Sequence, residues 1–297
     1  MATPQQGILG HIPGSIYAVA SYYSDNDSTQ HAVAATTDGV LYEIHWNQHT
    51  APTPPQRLAQ FNGIICITGF YTLDDGFQHI IVATNDGNLH EVYFDDAQHS
   101  QVRSPLIHLK SIIGPHVGMA GFFSPDDNLR HAAVVDKDGE LHETTYNAEK
   151  APAADDFATQ FDLADIAGIS GFFTLDDYTR HIIVAIKDGR VYDINYTTDQ
   201  NAASTTFLTQ FNDHLVNVAS FFTPDNNYRH VIGLTDKGTL YDYSRTYQTE
   251  FGQSELATIS AIVDIAAHYS AYDNNRHVIA GTTDGALHEI YYPPLGA

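Results

Sequence analysis

The chain has 297 residues, 43% of them hydrophobic, which is ample for a buried core and excludes a disordered acidic tail. Its 36 acidic and 13 basic residues give a formal net charge of −23, so the surface repels nucleic-acid phosphates and anionic membranes, and neither is an expected partner. No apolar run approaches the roughly 18 residues of a membrane-spanning helix, and no signal peptide is visible at the N-terminus, so we expect a soluble protein without membrane insertion.

A short segment, residues 7–12, opens the chain and is followed by six copies of one pattern. Each copy is marked by a histidine, and the histidines recur at intervals of 47 to 52 residues: His31, His79, His131, His181, His230 and His277. Twelve positions after each histidine stands a carboxylate: Glu43, Glu91, Glu143, Asp193, Asp242 and Glu289. A glycine follows each histidine by eight positions. An aromatic residue or histidine precedes each histidine by nine positions: Tyr22, Phe70, Phe122, Phe172, Phe221 and His268. Four positions kept through six copies indicate tandem repetition of one structural unit.

Each copy also carries the pattern of several short strands. In the second copy, residues 64–71, 79–84 and 89–94 form three apolar runs separated by turns rich in Asp and Gly, and a fourth run follows near 106–112. The runs are rich in β-branched and aromatic residues and show no helical periodicity. Four strands in a repeat of this length are typical of a propeller blade. The repeats centre near 14–47, 63–95, 116–147, 166–197, 215–246 and 262–293.

The two ends of the chain predict how the ring closes. The last copy stops after its third strand, 287–292, whereas residues 7–12 stand where a fourth strand would precede the first copy. Residues 7–12 are therefore expected to supply the outer strand of the last blade, which removes a free sheet edge. A solenoid would need atypical capping repeats, and neither terminal copy is atypical. The sequence predicts an all-β fold over residues 1–297: a single-domain six-bladed β-propeller with four antiparallel strands per blade, closed by the N-terminal strand.

The turn between the second and third strands decides which side chains share a face of the blade. A two-residue type I′ turn needs positive φ at both central residues, which suits Asp-Gly. The fifth copy has Lys237-Gly238 instead, and lysine is unfavourable at positive φ. A type I turn closed by a glycine bulge needs positive φ only at the glycine and fits every copy. This register predicts that each histidine and its acid lie on one face, one residue pair apart diagonally.

The histidine and acid columns have three interpretations. They form a buried polar tie between neighbouring blades, since buried polar groups need partners and His pairs well with Glu. Alternatively, they contact a ligand. A metal such as Zn²⁺ or Cu²⁺ suits imidazole and carboxylate, but one pair per blade supplies too few ligands, and no metal site or cofactor is predicted.

A second polar column lies directly before the histidines. Its members are Gln30, Gln78, Arg130, Arg180, Arg229 and Arg276, so half of the eight arginines in an acidic chain occupy one column. These arginines either pair with the acidic turn before each histidine or make bidentate contacts to ligand hydroxyls or carboxylates. The acidic turns have oxygens that suit Ca²⁺, but Asp and Asn also stabilise tight turns, and no DxDxDG loop is present.

The columns resemble those of the Aleuria-type fungal and bacterial fucose-binding lectins. The segments HIIVATNDGNLHEVYF (79–94) and HVIAGTTDGALHEIYY (277–292) show the resemblance best. The resemblance implies a six-bladed propeller with sugar sites between blades, where a basic residue on the second strand works with a glutamate about a dozen positions later and an aromatic side chain stacks on the sugar. It implies the glutamate role for Glu43, Glu91, Glu143 and Glu289, with Asp193 and Asp242 as shorter versions, and the basic role for the histidines or the adjacent arginines.

The sequence therefore predicts a non-enzymatic, multivalent carbohydrate-binding propeller whose partner is a glycan or another small polar ligand. No catalytic motif is present and no copy is chemically unique, which argues against an enzyme. The alternative is a scaffold for protein interactions in which the columns only tie blades together, and a metal-binding propeller comes third. The single cysteine, Cys66, permits no intrachain disulfide and slightly favours the cytoplasm, although an exported propeller needs no disulfide.

Overall fold

The computed structural model describes residues 3–95, 100–109, 118–135, 140–160, 165–198, 203–246 and 248–293. In these ranges the chain forms 24 strands, which make six four-stranded antiparallel sheets arranged as the blades of a propeller. Within the same ranges, no helix is long and apolar enough to cross a membrane.

Each blade is built from an inner, a second, a third and an outer strand. The inner strands are β2 (Ile16–Ser24), β6 (Ile64–Tyr71), β10 (Met119–Ser124), β14 (Ile166–Thr174), β18 (Leu215–Thr223) and β22 (Ile262–Ser270). The second strands are β3 (Thr29–Thr36), β7 (Gln78–Thr84), β11 (Leu129–Val135), β15 (Thr179–Ile186), β19 (Tyr228–Thr235) and β23 (Asn275–Thr282). The third strands are β4 (Val40–Trp46), β8 (Asn88–Phe94), β12 (Glu140–Tyr146), β16 (Arg190–Tyr196), β20 (Thr239–Arg245) and β24 (Ala286–Tyr292). The outer strands are β5 (Gln56–Gln60), β9 (Gln101–His108), β13 (Ala153–Gln160), β17 (Ser204–Gln210), β21 (Glu250–Thr258) and, from the N-terminus, β1 (Gln5–His11). Blades 1 to 6 are numbered in this order.

The hydrophobic core lies between the blades. The second strands are buried along nearly their whole length, because each is covered on both faces by neighbouring blades. In the first interface, Val33 and Leu41 of blade 1 pack in one cluster with Val82 and Val92 of blade 2. Adjacent blades therefore share their apolar surface and hold each other in the ring.

The ring closes through the N-terminal strand. Strand β1 pairs antiparallel with β24, from Gln5 opposite Tyr291 to His11 opposite Ala286. The Ile12 N–H donates a further hydrogen bond of 2.8 Å to the Gly285 carbonyl. The predicted fold, with closure by the N-terminal strand, is confirmed, although the strand occupies Gln5–His11 rather than residues 7–12. That residues 1–297 fold as one domain stays a prediction.

The outer strand of blade 2 differs from the sequence expectation. It begins at Gln101 and ends at His108, whereas an apolar run near 106–112 was expected, and residues 110–112 lie outside the described residues. Most of its side chains are exposed or half-buried, so the strand carries little hydrophobic signal.

The hairpin turns have the predicted geometry in the five blades where they are described. Positive φ occurs at the turn glycine, +81° at Gly39 and +77° at Gly238, but not at the residue before it. Gly139, the equivalent in blade 3, lies outside the described residues. A Cβ added to Gly39 would lie 1.9 Å from the Phe61 carbonyl oxygen, so the close approach of the backbone also requires glycine there.

Candidate functional site

The repeated residues meet at the interfaces between blades. In the register of β3 and β4, His31 lies opposite His45, and Glu43 is one pair further along on the same face, as the bulged turn predicted. In all six blades the histidine Nδ1 lies 2.8–3.0 Å from a carboxylate oxygen of the acid twelve positions later. The ring nine positions before each histidine stacks on its imidazole, with centroids 4.8–5.7 Å apart. The four columns thus assemble one unit in every blade.

A tyrosine or tryptophan side chain from the following blade completes this unit at four interfaces. The residue fifteen positions after the histidine donates a hydrogen bond to the acid of the preceding blade. The Tyr146 hydroxyl donates to Glu91 at 2.9 Å, and the Trp46 indole of blade 1 donates to Glu289 of blade 6 at 3.0 Å. Tyr196 bonds Glu143 and Tyr292 bonds Asp242 in the same way. Sequence reasoning missed this column, although its recurrence at a fixed spacing is visible in the sequence.

The arginine column also joins neighbouring blades. Arg130 donates to Asp74 at 2.8 Å and to Asp75, both on the acidic turn of the preceding blade. Arg180 binds Asp126 and Asp127 of its preceding blade in the same way, and Arg229 binds Asp176 and Asp177. Each of these arginines therefore forms an ion pair across an interface, and all three side chains are buried. In the described residues the acidic turns therefore serve as anion partners for the arginines.

The interface of blades 5 and 6 departs from this arrangement. Its acidic turn carries Asn226 where the other five blades have Asp27, Asp75, Asp127, Asp177 and Asp273. Arg276 is fully buried and donates from Nε to His230 Nε2 at 3.0 Å. Neither Nη1 nor Nη2 of Arg276 has a hydrogen-bond partner among the described residues, and Asn226 Nδ2 has none either.

Charge in the histidine units follows from their buried partners. Burial lowers the pKa of His31, but hydrogen bonds to Asp27 and Glu43 outweigh it and raise that pKa to about 9. Burial raises the pKa of Glu43, and His31 outweighs it and lowers that pKa to about 2. The pKa values of His131 and His277 are raised for the same reason: burial lowers them, and two flanking carboxylates outweigh it. With its pKa at about 9, the His31 imidazole is protonated at neutral pH and neutralises part of the acidic charge around it.

The histidine, acid and arginine columns are all inaccessible to solvent. Each member is at most 8% exposed, including the largest value, that of Glu289. The structure brings the predicted residues together, but at internal interfaces, and their contact with a ligand stays a prediction. In four blades the residue two positions after the acid lies nearer the solvent: His45, Tyr93, Asn195 and Tyr291 are half-buried, whereas Thr145 and Ser244 are buried.

In blade 2 the buried acid is joined to a partly exposed arginine. The Glu91 Oε2 atom lies 3.2 Å from Nη1 of Arg103, which is opposite Glu91 in the neighbouring strand β9. The side chain of Arg103 is 40% exposed, and its guanidinium lies 5.7 Å from the centre of the Tyr93 ring. The Tyr93 ring in turn stacks on His79 at 6.0 Å. Sequence reasoning missed Arg103 because the outer strands carry no repeated column.

Solved structures of other proteins share this fold. No family model matches the sequence, and no curated protein sequence matches it. AofleA from Arthrobotrys oligospora superposes with a TM-score of 0.76 at 12% identity, over 98% of this chain and 86% of that one. The fungal Aleuria aurantia lectin, described as a six-bladed β-propeller with a fucose recognition mode, superposes with a TM-score of 0.68 at 12% identity, over 97% and 99%. The BP39L lectin from Burkholderia pseudomallei gives 0.66 at 15%, over 96% and 85%. The expected resemblance to Aleuria-type propellers is confirmed for the fold.

Proposed function

We propose that this propeller is a non-enzymatic, multivalent carbohydrate-binding protein. The observation that carries the proposal is the cluster of Glu91, Arg103 and Tyr93 at the outer side of blade 2. A sugar presents neighbouring hydroxyl groups on its edge and apolar C–H groups on its face. Arg103 supplies a fork of donors for the hydroxyl groups and Tyr93 supplies an aromatic surface for the C–H face, while the buried Glu91 holds Arg103 in place. Pairing with buried His79 fixes the carboxylate, so little ordering is needed on binding.

The fold supports the same proposal. An Aleuria aurantia lectin and the SapL1 lectin share it, and both are described in complex with α-methyl fucoside. A glycan is accordingly the proposed partner of this chain, and sites on several blades of one rigid ring would add avidity without new contacts. The histidine column then acts from behind the site by holding each acid in place, and the arginine column ties neighbouring blades together. No cofactor takes part.

Binding is tested on a glycan array and by calorimetry with methyl glycosides, α-methyl fucoside included. Replacing Arg103 with Gln or Tyr93 with Ala should weaken binding at this site at least tenfold, since each removes one of the two side chains that would contact the sugar. Arg190→Gln is the matched control, because Arg190 is about equally exposed but pairs with Asp188 of the hairpin turn rather than with an acid of the column. Wild-type protein that binds no glycan, or variants that bind as tightly as wild type, would contradict the proposal.

The scaffold alternative rests on a different observation, the complete burial of the histidine–acid units. If these units only tie blades together, changing Glu91, Glu143 and Glu289 together to Gln should lower the melting temperature strongly. Each change weakens a charge-assisted hydrogen bond of about 1–3 kcal/mol. Early melting of this triple variant together with a wild type that binds no glycan would favour the scaffold. Near-normal melting together with lost glycan binding would favour the lectin.

A further inference from the structure

Blade 1 carries a second imidazole beside its histidine–acid unit. His45 follows Glu43 by two positions and lies opposite His31 in the strand pairing. One nitrogen of each histidine and an oxygen of Glu43 all lie within 4.8 Å of one another. The His31 Nδ1 to Glu43 Oε1 distance is 2.8 Å, and the His45 Nδ1 to Glu43 Oε2 distance is 3.9 Å. The ligand atoms of a tetrahedral zinc site, with metal–ligand bonds near 2.0–2.2 Å, are separated by about 3.3 Å, which lies between these values.

Two of these atoms lack hydrogen bonds. At 3.9 Å, Glu43 Oε2 and His45 Nδ1 are too far apart to bond, and neither has another hydrogen-bond partner in the described part of the chain. Glu43 itself is fully buried. A buried carboxylate oxygen and an imidazole nitrogen that face each other unpaired are costly without a group between them.

His31 is held by a further partner in the way that metal-binding histidines usually are. Its other nitrogen, Nε2, lies 2.7 Å from the Thr29 hydroxyl and 3.6 Å from an oxygen of Asp27. A carboxylate or hydroxyl on the remote nitrogen fixes the ring and directs the opposite nitrogen at the metal. The His45 side chain is 24% exposed and leaves an approach from solvent.

We propose that His31, Glu43 and His45 bind one Zn²⁺ ion per chain, with water as the remaining ligand. Imidazole nitrogens and carboxylate oxygens are ligands that this ion accepts, and three protein ligands with one open position form a complete site. Binding replaces the proton shared between His31 and Glu43 by the metal and releases it to solvent. The inference does not depend on carbohydrate binding.

The other blades explain why one ion is expected. The positions equivalent to His45 are Tyr93, Thr145, Asn195, Ser244 and Tyr291. None of these is an imidazole, so five blades keep only the two-ligand set that is too small for a metal. The sequence expectation of too few ligands thus applies to every blade except the first.

Metal-free protein is titrated with zinc sulfate by calorimetry, and bound zinc is counted after dialysis. One site per chain is expected in the wild type, and none in His45→Tyr, which carries the residue of blades 2 and 6. His45→Asn, the residue of blade 4, gives the same test if the tyrosine variant fails to fold. His49→Ala is the matched control, since His49 is an exposed histidine nearby. Tyr291→His, beside His277 and Glu289, should raise the count to two.

Melting in EDTA shows whether each variant is folded. A wild type that binds no zinc, or a folded His45 variant that binds it as tightly as the wild type, overturns the assignment. Loss of the zinc site in His49→Ala would also overturn it, because the ion would then be held by the surface loop.

Discussion

His277 offers a direct test of whether the repeated histidines stabilise the ring as charged ties. It lies at the interface that closes the propeller, with Nδ1 2.8 Å from Glu289 and Nε2 3.2 Å from Asp273. From blade 1, Trp46 donates to the same Glu289 and Gln30 approaches His277 Nε2 at 3.4 Å. Replacing His277 with Gln removes two charge-assisted hydrogen bonds between buried groups. At about 1.5–3 kcal/mol each, less what Gln regains, the loss should be about 2–4 kcal/mol of unfolding free energy.

The dependence of this loss on pH identifies its cause. Burial lowers the pKa of His277, but Asp273 and Glu289 outweigh it, so the folded pKa lies above the ordinary 6.5. The stabilisation is therefore fully present below about pH 6.5 and is lost as the pH rises through the folded value. The neighbouring His268, stacked at 5.1 Å, has a pKa lowered by burial and by the charge on His277, so it stays neutral.

Urea unfolding at several pH values between about pH 6 and pH 10, in EDTA, measures the difference between wild type and His277→Gln. The difference should be largest at the acid end and shrink as the pH rises. His49→Gln, an exposed change, should show little difference at any pH. If the unfolding free energies of wild type and His277→Gln run parallel across this pH range, the His277 imidazole stabilises the fold without carrying charge.

Three further predictions follow from the interfaces and turns. Tyr146→Phe removes the hydroxyl that bonds the acid of the preceding blade and should cost about 1–2 kcal/mol in urea unfolding. Deleting residues 1–11 leaves β24 as an open edge and should lower the melting temperature by several degrees or cause aggregation. Gly39→Ala should destabilise more than Gly252→Ala, because both have positive φ but only Gly39 is crowded, by the carbonyl of Phe61.

Each of these has a control and a contrary result. Tyr93→Phe removes a hydroxyl that bonds exposed Gln101, so a loss as large as that of Tyr146→Phe would contradict the interblade assignment. A truncated protein that is monodisperse and melts as the full chain does would contradict closure by β1. Equal costs at Gly39 and Gly252 would mean that the positive φ alone matters there.

The fold could be predicted because the repeat is strong where the structure is buried. The second strands are apolar runs bounded by a histidine and a glycine turn, and every blade repeats them, so their number and type were clear from the sequence. Lys237 at the turn before Gly238 excluded one hairpin geometry and thereby fixed the face shared by histidine and acid. The outer strands face solvent and their residues are free to vary, which is why the strand beginning at Gln101 was misplaced.

The candidate site was predictable only in part. Pairing of each histidine with its acid follows from local register within one hairpin, so spacing alone revealed it. The groups that decide exposure come from other strands: Arg103 reaches Glu91 from the outer strand, and Tyr146 covers it from the next blade. A single sequence contains no signal for how closely two blades approach, so the burial of the columns could not be foreseen.

The interface of blades 5 and 6 provides a last prediction, in which one substitution should stabilise the protein. At the equivalent place between blades 4 and 5, Arg229 donates to Asp177 Oδ2 at 2.7 Å. Between blades 5 and 6 that column holds Asn226, whose Oδ1 accepts from the Tyr228 N–H, so that Nδ2 takes the place of the carboxylate oxygen. The guanidinium of Arg276 is then buried, and two of its nitrogens have no hydrogen-bond partner among the residues that the structure describes.

Asn226→Asp should supply the missing anion and raise the unfolding free energy by about 1–3 kcal/mol, because the buried Arg276 gains a carboxylate at the position that Asp177 occupies beside Arg229. Thermal and urea unfolding measure the gain, with Asn62→Asp as an exposed control that adds the same charge. Most of the gain should disappear when Arg276 is changed to Met, since the new carboxylate then lacks its partner. If Asn226→Asp is neutral or destabilising in the wild type, or equally stabilising without Arg276, then the Arg276 charge is already compensated by other means and the pairing across this interface has been misread.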